Sequence, residues 1–268
     1  MEQIIGVNEA FIRLEVFAFM VAVLSLWEWW RPRRGPFRLL SARRAVNALM
    51  LVVNVVVVRL VLVSSLVGVE VLAQNVNFGI LKALSLAPAA SFVVTLLALD
   101  LVVYLQHRLF HVVPWLWRMH AVHHSDVDFD LTTGVRFHPG EIIVSTVIKG
   151  AAVVLLGAAP LAVLVFEAVL SSASLFTHAN ARMPSFVDTL LRWVLVTPDM
   201  HRIHHSVDDD EHNHNFGFCL TWWDRLLGSY RAQPRAPLDE MAIGLDAFRD
   251  PSDQRLARFM TQPVRTMA

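Results

Sequence analysis

The sequence predicts an all-α integral membrane protein, with about four transmembrane helices, or three plus a helical hairpin, and a cytoplasmic histidine-rich helical cap. Three observations predict it. Long apolar runs alternate with short polar stretches rich in arginine and histidine. Mean hydropathy is +0.50. Charged residues make up only 17% of the chain, below the roughly 25% of soluble domains. Three regions are expected: transmembrane helices and a basic cytoplasmic loop over 1–90, a histidine-bearing region over 91–235, and a cytoplasmic tail over 236–268. Formal net charge is zero, so nucleic acid is not an expected partner. Cys219 is the single cysteine, which excludes an internal disulfide and a thiolate metal cluster. No basic segment precedes the first apolar run, so a cleaved signal peptide is not expected.

Residues 11–30 form an apolar run of about the 20 residues that span a bilayer. Glu15 and Glu28 interrupt it, and Trp27, Trp29 and Trp30 close it as an interfacial belt would. The loop that follows carries Arg31, Arg33, Arg34, Arg38, Arg43 and Arg44, with Pro32, Gly35 and Pro36 breaking any helix. Arginines crowded beside a span mark the cytoplasmic side. Residues 45–73 are a second apolar run with Arg59 near its middle. A cation there must face protein or a water-filled cavity, and a structural ion pair is the expected arrangement. Residues 74–88 read as an outer loop with a short interfacial helix.

Residues 91–113 form the third span, running back inward. Asp100, Tyr104, His107 and His111 share one stripe by their i, i+4, i+7, i+11 spacing. Asp100 lies about 10 Å from His107 at 1.5 Å per residue, too far to orient that ring. It is placed to orient a ligand from another helix or to pair with Arg59. Residues 114–141 are too polar for lipid. Residues 142–179 are apolar again, with Gly157 and Pro160 near the middle. They read either as two full spans or as a hairpin that never crosses, and either way His178 returns to the face it left. Arg225, Arg231 and Arg235 fit a tail lying on the membrane, and no motif follows Pro237.

The chemistry concentrates in histidine. MHAVHHS holds His120, His123 and His124, and MHRIHHS holds His201, His204 and His205. HRLFH holds His107 and His111. Residues three and four apart share a helix face, so each HxxHH aims three rings into one space and HxxxH aims two. Buried imidazoles without partners are costly, and a cation that takes them as ligands removes the cost. Imidazole suits zinc, copper, iron and nickel. One zinc needs only four ligands, so this many histidines imply two metals. Haem ligation does not explain adjacent pairs such as His123 and His124. A transporter would continue its polar residues through the membrane, whereas these gather at one face. Asp128 and Asp130 suit either of two roles, holding imidazole N–H groups or capping a loop.

These motifs, in this order around a long apolar hairpin, resemble the fatty acid hydroxylase/sterol desaturase superfamily of integral membrane di-iron enzymes. RFHPGE at 136–141, FTHAN at 176–180, the NFG at 215–217 and WWDRLLGSY at 222–230 resemble bacterial members, which implies the bacterial inner membrane. The resemblance covers roughly 91–230 and makes 91–235 the catalytic region. It implies two iron ions, with zinc an alternative as purified, held by His107, His111, His120, His123, His124, His201, His204 and His205. His178 would add a ligand from the hairpin. His138, in the HPxE pattern, would steady a ligand rather than bind metal. Asn215 would contribute a supporting hydrogen bond and Gly217 a tight turn. His212 and His214 read as surface residues. The implied activity is O2-dependent hydroxylation or desaturation of a lipid such as a sterol or fatty acyl chain. Electrons would come from a separate donor protein, because no flavin, nicotinamide or iron–sulfur motif is present. A di-zinc hydrolase and a non-enzymatic metal or haem protein are the competing readings.

Overall fold

A computed structural model describes residues 2–35, 42–61 and 78–265. Among them the chain is helical and contains no β-strand. Five helices are long and apolar enough to cross a membrane. They are α1 (Glu2–Trp30), α2 (Ala42–Val61), α3 (Pro88–Val112), α5 (Pro139–Leu156) and α6 (Pro160–Thr177). Between them, α4 (Pro114–His124) carries the first HxxHH, and α7 (Pro198–His204) carries most of the second. Short helical turns and loops complete the cap.

Proline sets many of the boundaries. Pro88, Pro114, Pro139, Pro160 and Pro198 each open a helix. Proline fits there because its missing N–H would have no intrahelical partner. Thr197 caps α7 by accepting from the Met200 amide, and His138 caps α5 by accepting from Gly140.

The apolar stretch after residue 141 is two helices of 18 residues each, about 27 Å long at 1.5 Å per residue. Their turn closes at Gly157, which holds a left-handed φ of 63°. A Cβ there would meet the Phe78 carbonyl oxygen at 2.8 Å, so the turn nests tightly against residues 78 and 79. Leu99 and Val103 of α3, Val153 of α5 and Val163, Leu164 and Phe166 of α6 form one buried core. Leu24 of α1 joins Leu131, Leu175 and Ala179 in another.

The N-terminal helices are pinned to the histidine-bearing part by buried polar contacts. Glu28 accepts from the Leu131 and Asn180 amides, both at 2.8 Å, and from Arg44 at 3.0 Å. Arg43 binds Asp126 and Asp130, which follow directly on the first HxxHH.

Several expectations are revised. The second apolar run is helical from 42 to 61, and the rest of it, with most of the expected outer loop, lies outside the described residues. The short helix expected there is present at Ile80–Ala83. Arg59 has no ion pair among the described residues; it is exposed and is one of the residues that line a cavity. Arg231 and Arg235 bind Asp210 and Asp208, so they close the polar cap on itself. The segment after Pro237 is built into the fold. Phe259 is buried against Met50 and Val122, and Gln254 binds Arg136.

Candidate metal centre

All nine imidazoles expected to bind metal come together in two groups. His107, His111, His120, His124 and His204 form the first, and His123, His178, His201 and His205 the second. Within each group the candidate ligand atoms lie within 4.8 Å of one another. The groups are neighbours: His124 and His205 stack with centroids 4.5 Å apart. Eight of the nine rings are buried, and His111 is nearly so. α3 supplies two rings, α4 three, the end of α6 one, and α7 with its C-terminal neighbour His205 three.

The protons on these rings decide whether the groups fit metal. His107 donates Nδ1–H to the Phe216 carbonyl at 2.7 Å, and His204 donates to the His214 carbonyl at 2.7 Å. His120 donates to Glu141 Oε1 at 2.7 Å. A neutral ring that spends its proton at Nδ1 carries a lone pair at Nε2. Yet His107 Nε2 lies 3.1 Å from His120 Nε2 and 3.0 Å from His204 Nε2. With all three protons engaged elsewhere, these contacts set lone pair against lone pair.

The second group repeats the pattern. His178 donates Nδ1–H to the Ser174 carbonyl at 2.6 Å. Its Nε2 lies 3.1 Å from those of His123 and His205 and 3.2 Å from that of His201. Nitrogens held about 2.0–2.1 Å from a shared ion at right angles would lie about 3 Å apart. Both nitrogens of His111 and Nε2 of His124 are buried with no partner among the described residues. The donor sets therefore fit cations.

Burial also fixes the charge state. It pushes His120 and His178 down to about 3. It holds His123, His124, His201, His204 and His205 well below their ordinary value, and neighbouring imidazoles add to the effect. Neutral imidazole is the form that ligates metal.

Of the residues expected around the rings, Asp100 takes a different role, whereas Asp128 and Asp130 sit in loop contacts and Asn215 makes hydrogen bonds to backbone. Asp100 accepts from the Trp223 indole at 2.8 Å and the Leu220 amide at 3.3 Å. It anchors the loop after the second histidine motif and meets neither an imidazole nor Arg59. Asp128 accepts from the neighbouring Phe129 amide. Asp130 binds Arg43, Arg44 and the Thr132 hydroxyl, so it braces a loop. Asn215 takes φ 57° and bridges the Met200 and Arg231 backbones, which steadies α7 and the following turn. His212, expected at the surface, is buried and stacks on Trp117 at 5.5 Å. His214 contributes through its carbonyl, which takes the His204 proton.

Two carboxylates inside the motifs, Glu141 and Asp224, take roles that spacing does not announce. Glu141 holds His120. Asp224 accepts from the Phe216 and Gly217 amides at 2.8 Å each, and so fixes the carbonyl that orients His107. Burial pushes Asp224 up to about 6 against its hydrogen bonds from Ser229, Gly217 and Phe216. A carboxylate opening an otherwise apolar helix, as Glu141 does, needs a buried partner, and that signal was available.

Arg136 props the first motif from beneath. Its Nε donates to the Val122 carbonyl and its NH2 to Ser125, both at 2.8 Å. Its guanidinium lies 3.8 Å from the Phe259 ring centroid.

A cavity of about 900 Å³ opens beside the first group. His107, His120 and Glu141 form one end, and Val103, Phe110 and Leu170 stand among its apolar walls. Phe137, also in the wall, stacks on His123 with centroids 4.4 Å apart.

The family model described as fatty acid hydroxylase matches residues 92–229, just over half of the chain. The chain belongs to the fatty acid hydroxylase family. All nine clustered histidines fall inside the matched segment. Among similar proteins is the ornithine lipid hydroxylase OlsE of Rhizobium tropici, 36% identical over 141 residues, covering 52% of this chain and 41% of that protein. Cholesterol 25-hydroxylase of Rattus norvegicus is 28% identical over 60% of this chain and 53% of its own. Alkylglycerol monooxygenase of Xenopus tropicalis is 26% identical over 58% and 33%. The matches thus span about half or less of each relative's length. No solved structure matches. As a member of this family, the chain places its two imidazole groups within the region that its relatives share.

Proposed function

We propose that this protein is a membrane-embedded, O2-dependent oxidoreductase that hydroxylates a C–H bond of a lipid with two iron ions. The observation that carries the reading is the pair of neighbouring buried imidazole groups, lone pairs turned inward, the first of which borders a largely apolar cavity through His107 and His120. His107, His111, His120, His124 and His204 would hold one ion, and His123, His178, His201 and His205 the other. Iron bound in such neutral sets supplies the redox chemistry with O2 that breaking an unactivated C–H bond requires.

The chain's own residues do the positioning. The Phe216, His214 and Ser174 carbonyls and the Glu141 carboxylate fix four rings in one tautomer, as outer partners of metal ligands do. Val103, Phe110, Phe137 and Leu170 exclude water and align an acyl or sterol skeleton against His107 and His120. Three similar proteins are named for hydroxylating or monooxygenating lipids, which supports a lipid substrate here. Arg43 and Arg44, in the first turn of α2, bind Asp126 and Asp130 beside the first histidine motif. That contact supports a reading in which the arginines and the rings share one face, and arginine bias favours the cytoplasmic side for it. Electrons would arrive there from a separate donor protein.

Lipid profiling of cells with and without the gene tests the reading. A lipid heavier by one oxygen is expected only where the gene is present. A lipid lighter by two hydrogens would make the product an alkene, and an unchanged lipid profile would contradict the reading.

A further inference from the structure

The cavity is not apolar throughout. Away from the histidines, Lys149 donates to Glu167 Oε1 at 2.7 Å. Arg13 reaches Glu167 Oε2 and Glu9 Oε1, each at 3.2 Å. Two cations and two carboxylates thus face one another in the wall. Arg59 lines the same cavity and brings a further positive charge. It has no hydrogen bond or ion pair among the described residues. It is exposed, in the last turn of the described part of α2, an otherwise apolar helix, where a guanidinium turned toward lipid is costly unless an anion or water meets it.

We propose that this end of the cavity seats the anionic headgroup, a carboxylate or phosphate, of the lipid substrate, with Arg59 as its counter-ion. The inference rests on the cavity being the lipid site of a hydroxylase. Arg13 and Lys149, already tied to Glu167, present further N–H groups to the same anion. The placement sets a distance. Lys149 follows Glu141 by eight residues on α5, about 12 Å at 1.5 Å per residue, and Glu141 touches His120. An extended chain advances roughly 3.5 Å per three bonds. A carbon about ten bonds from the anionic group would therefore face the histidines.

Photo-crosslinking of the purified full-length protein tests this. The probes are hexadecanoic acid, hexadecyl phosphate and hexadecanol, each with a diazirine at carbon 10. At least one anionic probe should label the wall near the histidines, Phe137 and Ile142 among it, more than the alcohol does. Which anion labels tells carboxylate from phosphate. Arg59→Gln should cut anion labelling about tenfold, the worth of one charge-assisted contact, and leave alcohol labelling as it was. Arg59→Lys should keep most of it. A melting temperature for each variant shows that it is folded. Equal labelling by alcohol and anions, or anion labelling unchanged in folded Arg59→Gln, overturns the proposal and makes Arg59 an interfacial anchor. Metal content and O2-dependent hydroxylation are measured on the same preparation. Arg59-dependent anion labelling without hydroxylation leaves the headgroup site standing and removes the hydroxylase reading. Hydroxylation with Arg59-independent labelling does the reverse.

Discussion

Glu141 and His120 show how single contacts decide the chemistry here. The carboxylate takes the Nδ1 proton and leaves Nε2 free to ligate. Glu141→Leu removes that acceptor, whereas Glu141→Gln keeps a carbonyl in its place. Losing an outer partner of a ligand costs about 10- to 100-fold in metal affinity or activity. That loss is expected for the leucine variant and a much smaller one for glutamine, read as metal content and turnover. Equal losses in the two variants would mean that the hydrogen bond is not what matters. His123 and His212 make a second pair. His123→Ala opens the second imidazole group and should abolish activity and the metal held by that group. His212 is buried but belongs to neither group, so His212→Ala should keep both metals and most activity. Its cost falls on stability, about 1 kcal/mol for a lost buried ring contact, readable as a lower melting temperature.

At the scale of elements, the C-terminal segment is the least expected support. Arg136 is fully buried, and its partners include Gln254 and the Phe259 ring. A chain ending at Asp253 would leave that guanidinium short of both, and breaking a buried polar network costs roughly 3–5 kcal/mol. Such a chain should lose metal together with thermal stability, although every ligand is still present. Full metal content in the truncated protein would show that α4 stands without this prop. The long helices and both HxxHH motifs were legible from apolar length, proline at helix starts and i, i+3, i+4 spacing. Those signals are local. The tail's role was not legible, because Phe259 and Gln254 act across more than a hundred residues and leave no periodic mark. The role of Asp100 is hidden for the same reason. Its stripe on α3 is a local pattern, but its partners, Trp223 and the Leu220 amide, come from a loop with no pattern of its own. The grouping of His123 apart from its neighbour His124 follows from ring directions that spacing alone does not assign.

Across the whole molecule, the buried rings make stability depend on pH. His120 and His178 are pushed down to about 3 by burial, so in the folded chain they stay neutral until pH approaches that value. In the unfolded chain they gain protons below about 6.5. The unfolded state thus binds more protons between 6.5 and 3, and stability falls as pH drops through that window. Asp199, held up by burial, and Asp224, pushed up to about 6, work in the opposite direction, but the buried rings outnumber them. The metal-free protein in detergent should therefore melt progressively lower from pH 7 to pH 5. A level melting temperature over that range would mean that these rings are not held neutral.

One measurement bears most directly on the centre of this structure: the metal content of the full-length protein, expressed with iron and purified without oxygen. Two irons per chain are expected, with His178→Ala, folded by melting temperature, retaining no more than one. A wild-type protein that holds no metal, or a His178→Ala variant that still holds two irons, would contradict the two-group centre.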